Sequence, residues 1–314
     1  MRRPKWKSLV GPIFAAVLFG LSVRLLAAEL SEVSWAEFKS GLTGIRPIYL
    51  VFAAILIAMN YALLISYDLL ALRYICRSLP LRRVSLVSFL GYSLGNNLGT
   101  FLAAAPLRFR FYSRWGLSHS QIAALITLLG LTFWSGLWFL GGTVLTLVPI
   151  ELPPERRLPI STRALGVTLL AVWLVYLTAC SVWRRPWPIY GVKVQPPPAG
   201  LMMTQTSVAA VDLFISATAL YLVLPGETTV SFSLVLAAYL CGIAIALVSQ
   251  VPGGLGILEA IMLYLLKDAV GAQVTASLLI FRTMYYVVPL LFGMLTLVIH
   301  EIYSGAVQRS HPDD

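Results

Sequence analysis

A chain of 314 residues, 59% hydrophobic and only 11% charged, carries less than half the ~25% charged content of an ordinary soluble domain. Its mean hydropathy is +0.84. These values exclude a soluble globular enzyme, a disordered chain and a secreted disulfide scaffold, and leave a polytopic membrane protein. Its 23 basic and 13 acidic residues give a net charge of +10, but the basic residues lie between apolar runs. There the positive-inside rule accounts for them without nucleic acid.

The apolar runs are about 18–25 residues long, the length at which a helix crosses a hydrocarbon core of about 30 Å. The alternating strands of about ten residues that a membrane β-barrel needs are not visible. A basic flank, Met1 to Lys7, precedes a first span over about Ser8 to Ala28, which contains Arg24 near its end. It lacks a small-x-small cleavage site followed by a polar domain and reads as a retained span rather than a signal peptide. After an acidic stretch (Glu29, Glu32, Glu37) comes a second span, Pro47 to Leu70, and a loop with Arg73, Arg77, Arg82 and Arg83.

In the element at 84–115, Val84 to Ala105 is long enough to cross, but its Gly-Tyr-Ser-Leu-Gly-Asn-Asn-Leu-Gly99 core is poor helix material. If this segment crossed fully, Arg108, Arg110 and Arg114 would face outward, so charge and glycine content together favour a broken or re-entrant element. A span from Ser118 to about Val148 opens with a capping box, Ser118-x-x-Gln121. Further spans are read over Arg163 to Trp183, Thr204 to Leu224, Val230 to Val248 and Val274 to Glu301. A Pro/Glu/Arg loop occupies 149–160, and a basic and proline-rich interval occupies 184–203. Residues 249–268, with Pro252-Gly-Gly-Leu-Gly256, form a second glycine-broken element. The expected fold is therefore an all-α polytopic membrane protein with about 7–8 membrane helical elements, two of them broken or re-entrant, in one membrane domain over 1–314. Paired interrupted segments of this kind point to a transporter binding site. The basic ends place the N-terminus in the cytoplasm and leave the side of the C-terminus open.

Catalytic motifs are missing. The three histidines (His119, His300, His311) and three cysteines (Cys76, Cys180, Cys241) are too scattered for a metal or disulfide framework. No catalytic residue, metal or cofactor is expected, and the chain is read as a transporter rather than an enzyme. Intramembrane ionisable groups carry the stronger signal. Asp68 reads equally well as an interfacial residue, whereas Asp212 sits well inside its span. Asn96 and Asn97 precede the run Arg108-Phe-Arg110-Phe-Tyr112. If that run is extended, its basic residues share one side; if helical, Arg108 aligns with Tyr112 and Arg110 with Arg114. Guanidinium groups in either arrangement suit a phosphate. Gly253 and Gly254 let backbone approach a ligand, and Glu259 follows in the first turns of a short helix. Arg282 lies at helical spacing from Tyr285, Tyr286 and Pro289. Pairing of Arg282 with Glu259 or with Asp212 would satisfy these charges without any substrate.

Three ordered motifs, Ser93-Leu-Gly-Asn-Asn-Leu-Gly99 with Arg108-Phe-Arg110-Phe-Tyr112, Ser249 to Glu259, and Phe281-Arg282-x-x-Tyr285-Tyr-x-x-Pro289, resemble the membrane region of bacterial lysylphosphatidylglycerol synthase/flippase proteins. The likeness runs along essentially the whole chain. It implies a bacterial inner-membrane protein that moves aminoacylated phosphatidylglycerol, or a related anionic or lipid-linked substrate, between leaflets. Asp314 follows shortly after the last span, so the expectation is a stand-alone member without the synthase. Arg108, Arg110 and Arg282 would then take the phosphate, Asp212 and Glu259 the ammonium groups, with Asn96, Asn97, Tyr112, Gly253, Gly254 and Tyr286 completing the substrate-binding set. The expected partners are membrane lipids, a separate synthase or glycosyltransferase, and further copies of the chain. The alternative is a non-transporting anchor or scaffold for such a synthase or glycosyltransferase.

Overall fold

A computed structural model describes residues 42–148, 161–183, 187–189, 192–225, 230–249, 254, 256–270 and 273–310, together with residues 20 and 39. The span expected over Ser8 to Ala28, with Arg24, lies outside the described residues, as do the 149–160 loop and Gly253. The described chain is helical apart from one short hairpin. Six of its helical stretches are long and apolar enough to cross a membrane, and the protein is an integral membrane protein.

Helix α1 (Pro47–Tyr74) starts with proline in its first turn, where the missing N–H is no loss. Helix α2 (Leu81–Leu98) ends at Gly99, whose φ of 91° suits glycine alone. A π-helical turn, Thr100–Ala104, then leads into α3 (Ala105–Arg114). The expected capping box is present at the start of α4 (His119–Leu147): Gln121 N donates to Ser118 Oγ at 3.2 Å and Ser118 N to Gln121 Oε1 at 3.1 Å. Helix α5 (Thr162–Val182) is capped by Ser161. In the interval read from sequence as loop, strands β1 (Trp187–Ile189) and β2 (Val192–Val194) form an antiparallel hairpin, with Trp187 opposite Val194. Helices α6 (Ala199–Leu222), α7 (Phe232–Ser249), α8 (Ile257–Val270), α9 (Gln273–Arg282) and α10 (Val288–Ser310) follow, with a second π turn, Thr283–Val287, joining the last two.

The two π turns share a pattern. Thr100 and Thr283 open them, and Pro106 and Pro289 follow at the same spacing, each preceding a leucine. In both, an N–H reaches five residues back: Ala105 to Thr100 O, and Val288 to Thr283 O. Proline removes the N–H that would bond the carbonyl four residues earlier, and a wider turn absorbs the break. The carbonyl released by Pro289 is that of Tyr285, and the Tyr61 hydroxyl donates to it at 3.1 Å. Asn97 Nδ2 donates to the adjacent Tyr286 carbonyl at 3.2 Å.

Helices α2 and α3 fold back on each other as a hairpin. A Cβ on Gly95 would meet the Ala104 methyl, one on Gly91 would meet the Arg108 guanidinium, and the Arg83 guanidinium lies 5.3 Å over the Trp115 ring. The element therefore goes in and returns to the end at which it began, as glycine content and charge lead one to expect. Its arginines form the helical arrangement, not the extended one. Helix α8 similarly doubles back along α7, with Gly254 (φ 59°) against Ala246 and Gly242 against Leu258. At the other end of the chain, Glu301 of α10 pairs with Arg110, and His300 lies against Phe111 at 5.3 Å. The C-terminal part of α10 thus shares an end of the bundle with Arg83, Arg110 and Tyr74, whose hydroxyl bonds Gln195 O.

Small residues let these helices close. Gly136 of α4 packs directly on Ala209 of α6, and Gly142 and Gly166 bring α4 and α5 backbone to backbone. The core runs through α1, α2, α4, α6 and the second π turn. Outward residues such as Phe52, Val175 and Phe292 stay exposed, as a lipid-facing surface requires.

Candidate headgroup cavity

Between the α2–α3 hairpin and helices α1, α4, α6 and α7 lies a cavity of about 290 Å³. Its apolar lining includes Leu129, Phe133, Ile243 and Leu247. Its polar lining includes Tyr92, Asn96, Arg108, Asp212, Ser216, Tyr239, Tyr285 and Tyr286. Gly91, Gly95, Gly99 and Gly254 line it too, so backbone approaches its interior on both broken elements. Such a mix of apolar walls and a few convergent polar groups is characteristic of ligand sites.

Arg108 enters from α3. Its Nε donates to Asp68 Oδ1 at 3.0 Å and its Nη2 to Asp68 Oδ2 at 2.8 Å, a bidentate pair in which the side chains are 3% and 0% exposed. Tyr112 donates to the same Oδ1 at 2.8 Å, and the Tyr92 ring lies 4.9 Å from the guanidinium carbon. Asp68 is thus no interfacial residue. It lies more than one turn inside the end of α1, on the face that carries Tyr61, Leu64 and Ala71 into the core, and its charge is retained there because Arg108 matches it. The Tyr92 hydroxyl is buried and meets no hydrogen-bond partner among the described residues.

Asp212 faces the cavity from near the middle of α6 and is 5% exposed. Asn60 Nδ2 donates to its Oδ1 at 2.6 Å and Tyr67 Oη to its Oδ2 at 2.6 Å. Asn60 in turn accepts from the Tyr285 hydroxyl at 2.8 Å, and Ser216 Oγ lies 3.1 Å from the same hydroxyl. The polar network therefore joins α1, α6 and the second π turn.

Of the substrate-binding residues expected from sequence, Asn96, Arg108, Asp212, Gly254 and Tyr286 line this cavity. The other described ones do not lie on its wall, and Gly253 is outside the described residues. Asn97 ties α2 to the second π turn, Tyr112 holds Asp68, Arg110 pairs with Glu301, and Arg282 pairs with Glu259 while its guanidinium carbon lies 5.6 Å from the Tyr286 ring centre. The Arg282–Glu259 pair is the purely structural outcome that the sequence left open, and Asp212 is not its partner. Sequence reading passed over Asn60, Tyr67, Tyr92 and Gly91. A usable signal existed for the first two: Asn60, Tyr67 and Asp68 fall at helical spacing on one face of an otherwise apolar span. Among the described residues, no group of three or more His, Cys, Asp or Glu could hold a metal ion.

No family model matches the chain. It is 33% identical over 308 residues to the uncharacterized protein slr0712 of Synechocystis sp., spanning 97% of this chain and 96% of that protein. It is 30% identical over 302 residues to the inner membrane protein YbhN of Escherichia coli, spanning 95% and 94%. The chain belongs to the YbhN family. Its likeness to the lysylphosphatidylglycerol synthase/flippase proteins also holds: it is 25% identical over 296 residues to phosphatidylglycerol lysyltransferase of Staphylococcus haemolyticus. That match covers 92% of this chain but 34% of the lysyltransferase. Neither of the two near-full-length YbhN-family relatives carries an enzymatic name.

Proposed function

We propose that this YbhN-family protein moves a phospholipid headgroup across the bacterial inner membrane, the cargo being an aminoacylated phosphatidylglycerol or a related charged lipid. The observation that carries the reading is the cavity with converging polar groups, set among helices long and apolar enough to span and walled by a broken helical hairpin. Irregular backbone inside a bilayer is tolerated only where protein or a hydrated cavity covers it, and broken helices at mid-depth are a transporter's way of presenting polar groups. On the first π turn, Thr100 lines the cavity while Phe101 and Leu102 are 75% and 57% exposed. A headgroup in the cavity would leave its acyl chains against that outer face. A volume of about 290 Å³ suits a headgroup and not a whole diacyl lipid.

Arg108, hinged to Asp68, is the group that meets a phosphate, and Asp212 meets a positive group. The bundle end with Arg83 and Arg110, which also holds the end of α10, faces the cytoplasm by the positive-inside rule. The chain has no nucleotide-binding loop, so movement follows a lipid gradient or is coupled to ions or the membrane potential. Purified protein in liposomes holding labelled lysylphosphatidylglycerol, phosphatidylglycerol or a polyprenyl-linked sugar tests this. Time-dependent exposure of one of these lipids supports the reading and names its class, whereas exposure of none, at a protein density where each vesicle holds a folded copy, refutes it.

A further inference from the structure

Asp212 is the acidic group of the cavity, and among the described residues no ion pair holds it. Its two carboxylate oxygens are met by neutral donors, Asn60 and Tyr67, and no basic side chain among the described residues forms an ion pair with it. The titratable groups that feel its charge are Tyr61 and Tyr67 of α1, Tyr92 of α2, Tyr239 of α7 and Tyr285 of the second π turn. All are phenols, neutral at physiological pH. Arg108 shares the cavity but is matched by Asp68, and Arg282 is matched by Glu259. The described contacts of α4 and α5 with α6 bring only uncharged partners, Thr132 to Gln205 and Trp173 to Thr206. An ionised carboxylate at mid-span is costly even on insertion scales. With no protein cation beside it, neutralisation falls to a proton or to a cation that enters the cavity.

Asp212 is also tied to a part of the fold that can rearrange. Asn60 Nδ2 spans its Oδ1 at 2.6 Å and its backbone oxygen at 3.0 Å, and Asn60 Oδ1 accepts from Tyr285 Oη at 2.8 Å. Tyr285 belongs to the π turn whose free carbonyl is held by Tyr61. A change of charge on Asp212 therefore alters the donors that fix the α9–α10 junction, a segment already departing from regular helix.

We propose that Asp212 is a proton-coupling group: it holds a proton while the cavity lacks positive charge and releases it when an ammonium-bearing headgroup enters. The inference rests on the translocation reading above and adds its energy source. In the exchange, the O–H bond on the Asp212 carboxyl breaks and the proton leaves to water. The headgroup ammonium then takes its place beside the carboxylate, and the cavity keeps the same net charge in both states. Lipid carried one way returns a proton the other way.

Two readouts test this. Infrared difference spectra of the purified protein against pH should contain a titrating protonated-carboxyl C=O band that Asp212→Asn removes and Asp212→Glu retains. Proteoliposomes with an entrapped pH-sensitive dye should show a luminal pH change accompanying lysylphosphatidylglycerol movement, lost in Asp212→Asn. Absence of the band from wild type, or its persistence in Asp212→Asn, overturns the proposal. Wild-type lipid movement with no luminal pH change, or movement driven by a sodium gradient instead, overturns the coupling and leaves translocation standing. If no lipid moves although the band is present and Asp212-dependent, translocation itself fails and the exchange falls with it. Should Asp212→Asn not fold, the wild-type band, Asp212→Glu and wild-type luminal pH still decide.

Discussion

Asp68 and Arg108 meet as a bidentate pair, Nε to Oδ1 at 3.0 Å and Nη2 to Oδ2 at 2.8 Å, with both side chains almost fully removed from solvent. The pair fastens the returning arm of the α2–α3 hairpin to α1. It also neutralises a buried guanidinium that would otherwise stand uncompensated.

Breaking that pair from one side strands the other charge. Asp68→Asn and Arg108→Ala are each expected to lower stability by about 3–5 kcal/mol, seen as a fall in the melting temperature in detergent. Replacing both at once with apolar residues, Asp68→Leu with Arg108→Met, should recover much of that loss while abolishing lipid movement. A double variant as unstable as the worse single one would show that the pair is not the fastening.

Gly91 is small because Arg108 lies against it: an added Cβ would stand 2.7 Å from Nη1. Gly91→Ala should displace the guanidinium and cost about 1–3 kcal/mol, the usual range for overpacking. Wild-type thermal stability in Gly91→Ala would contradict the close approach.

Tyr67→Phe removes one of the two donors to the Asp212 carboxylate. Loss of a hydrogen bond to a buried carboxyl oxygen should cost about 1–3 kcal/mol. The partner substitution Asn60→Ala should not add fully, because Asn60 and Tyr67 share one acceptor group and neighbouring sites couple by about 0.5–3 kcal/mol. A double-mutant cycle on melting free energies measures this, and strict additivity would separate the two.

Much of the architecture was legible in the sequence. Apolar run length located the six described spans, Ser118 and Gln121 marked a helix start, and the glycine-rich segment ending at Gly99 marked where α2 stops, although residues 91–98 remain regular helix. Arg108 was recognisable from its place in a basic run beside a glycine-rich break, and Asp212 because a charge within an apolar run is costly. Their partners were not, since Asp68–Arg108 and Asn60–Asp212 are separated by 40 and 152 residues, and only tertiary packing decides which side chains meet. Asp68 looked interfacial because it lies near the end of its apolar run, while α1 continues as helix to Tyr74. The π turns escaped notice because each is an effect of one proline on the preceding carbonyls, not of composition.

Filling the cavity without disturbing its walls is the most direct test of a headgroup route. Gly130 lines the cavity from α4, and a Cβ there would meet no atom within 4 Å. Gly130→Phe should therefore project its ring into the cavity space and fold, with a helical glycine removed. Lipid exposure in proteoliposomes is the measurement. The expected result is a normal melting temperature with lipid movement lost; movement at the wild-type rate through a filled cavity would contradict the assignment of that cavity as the path.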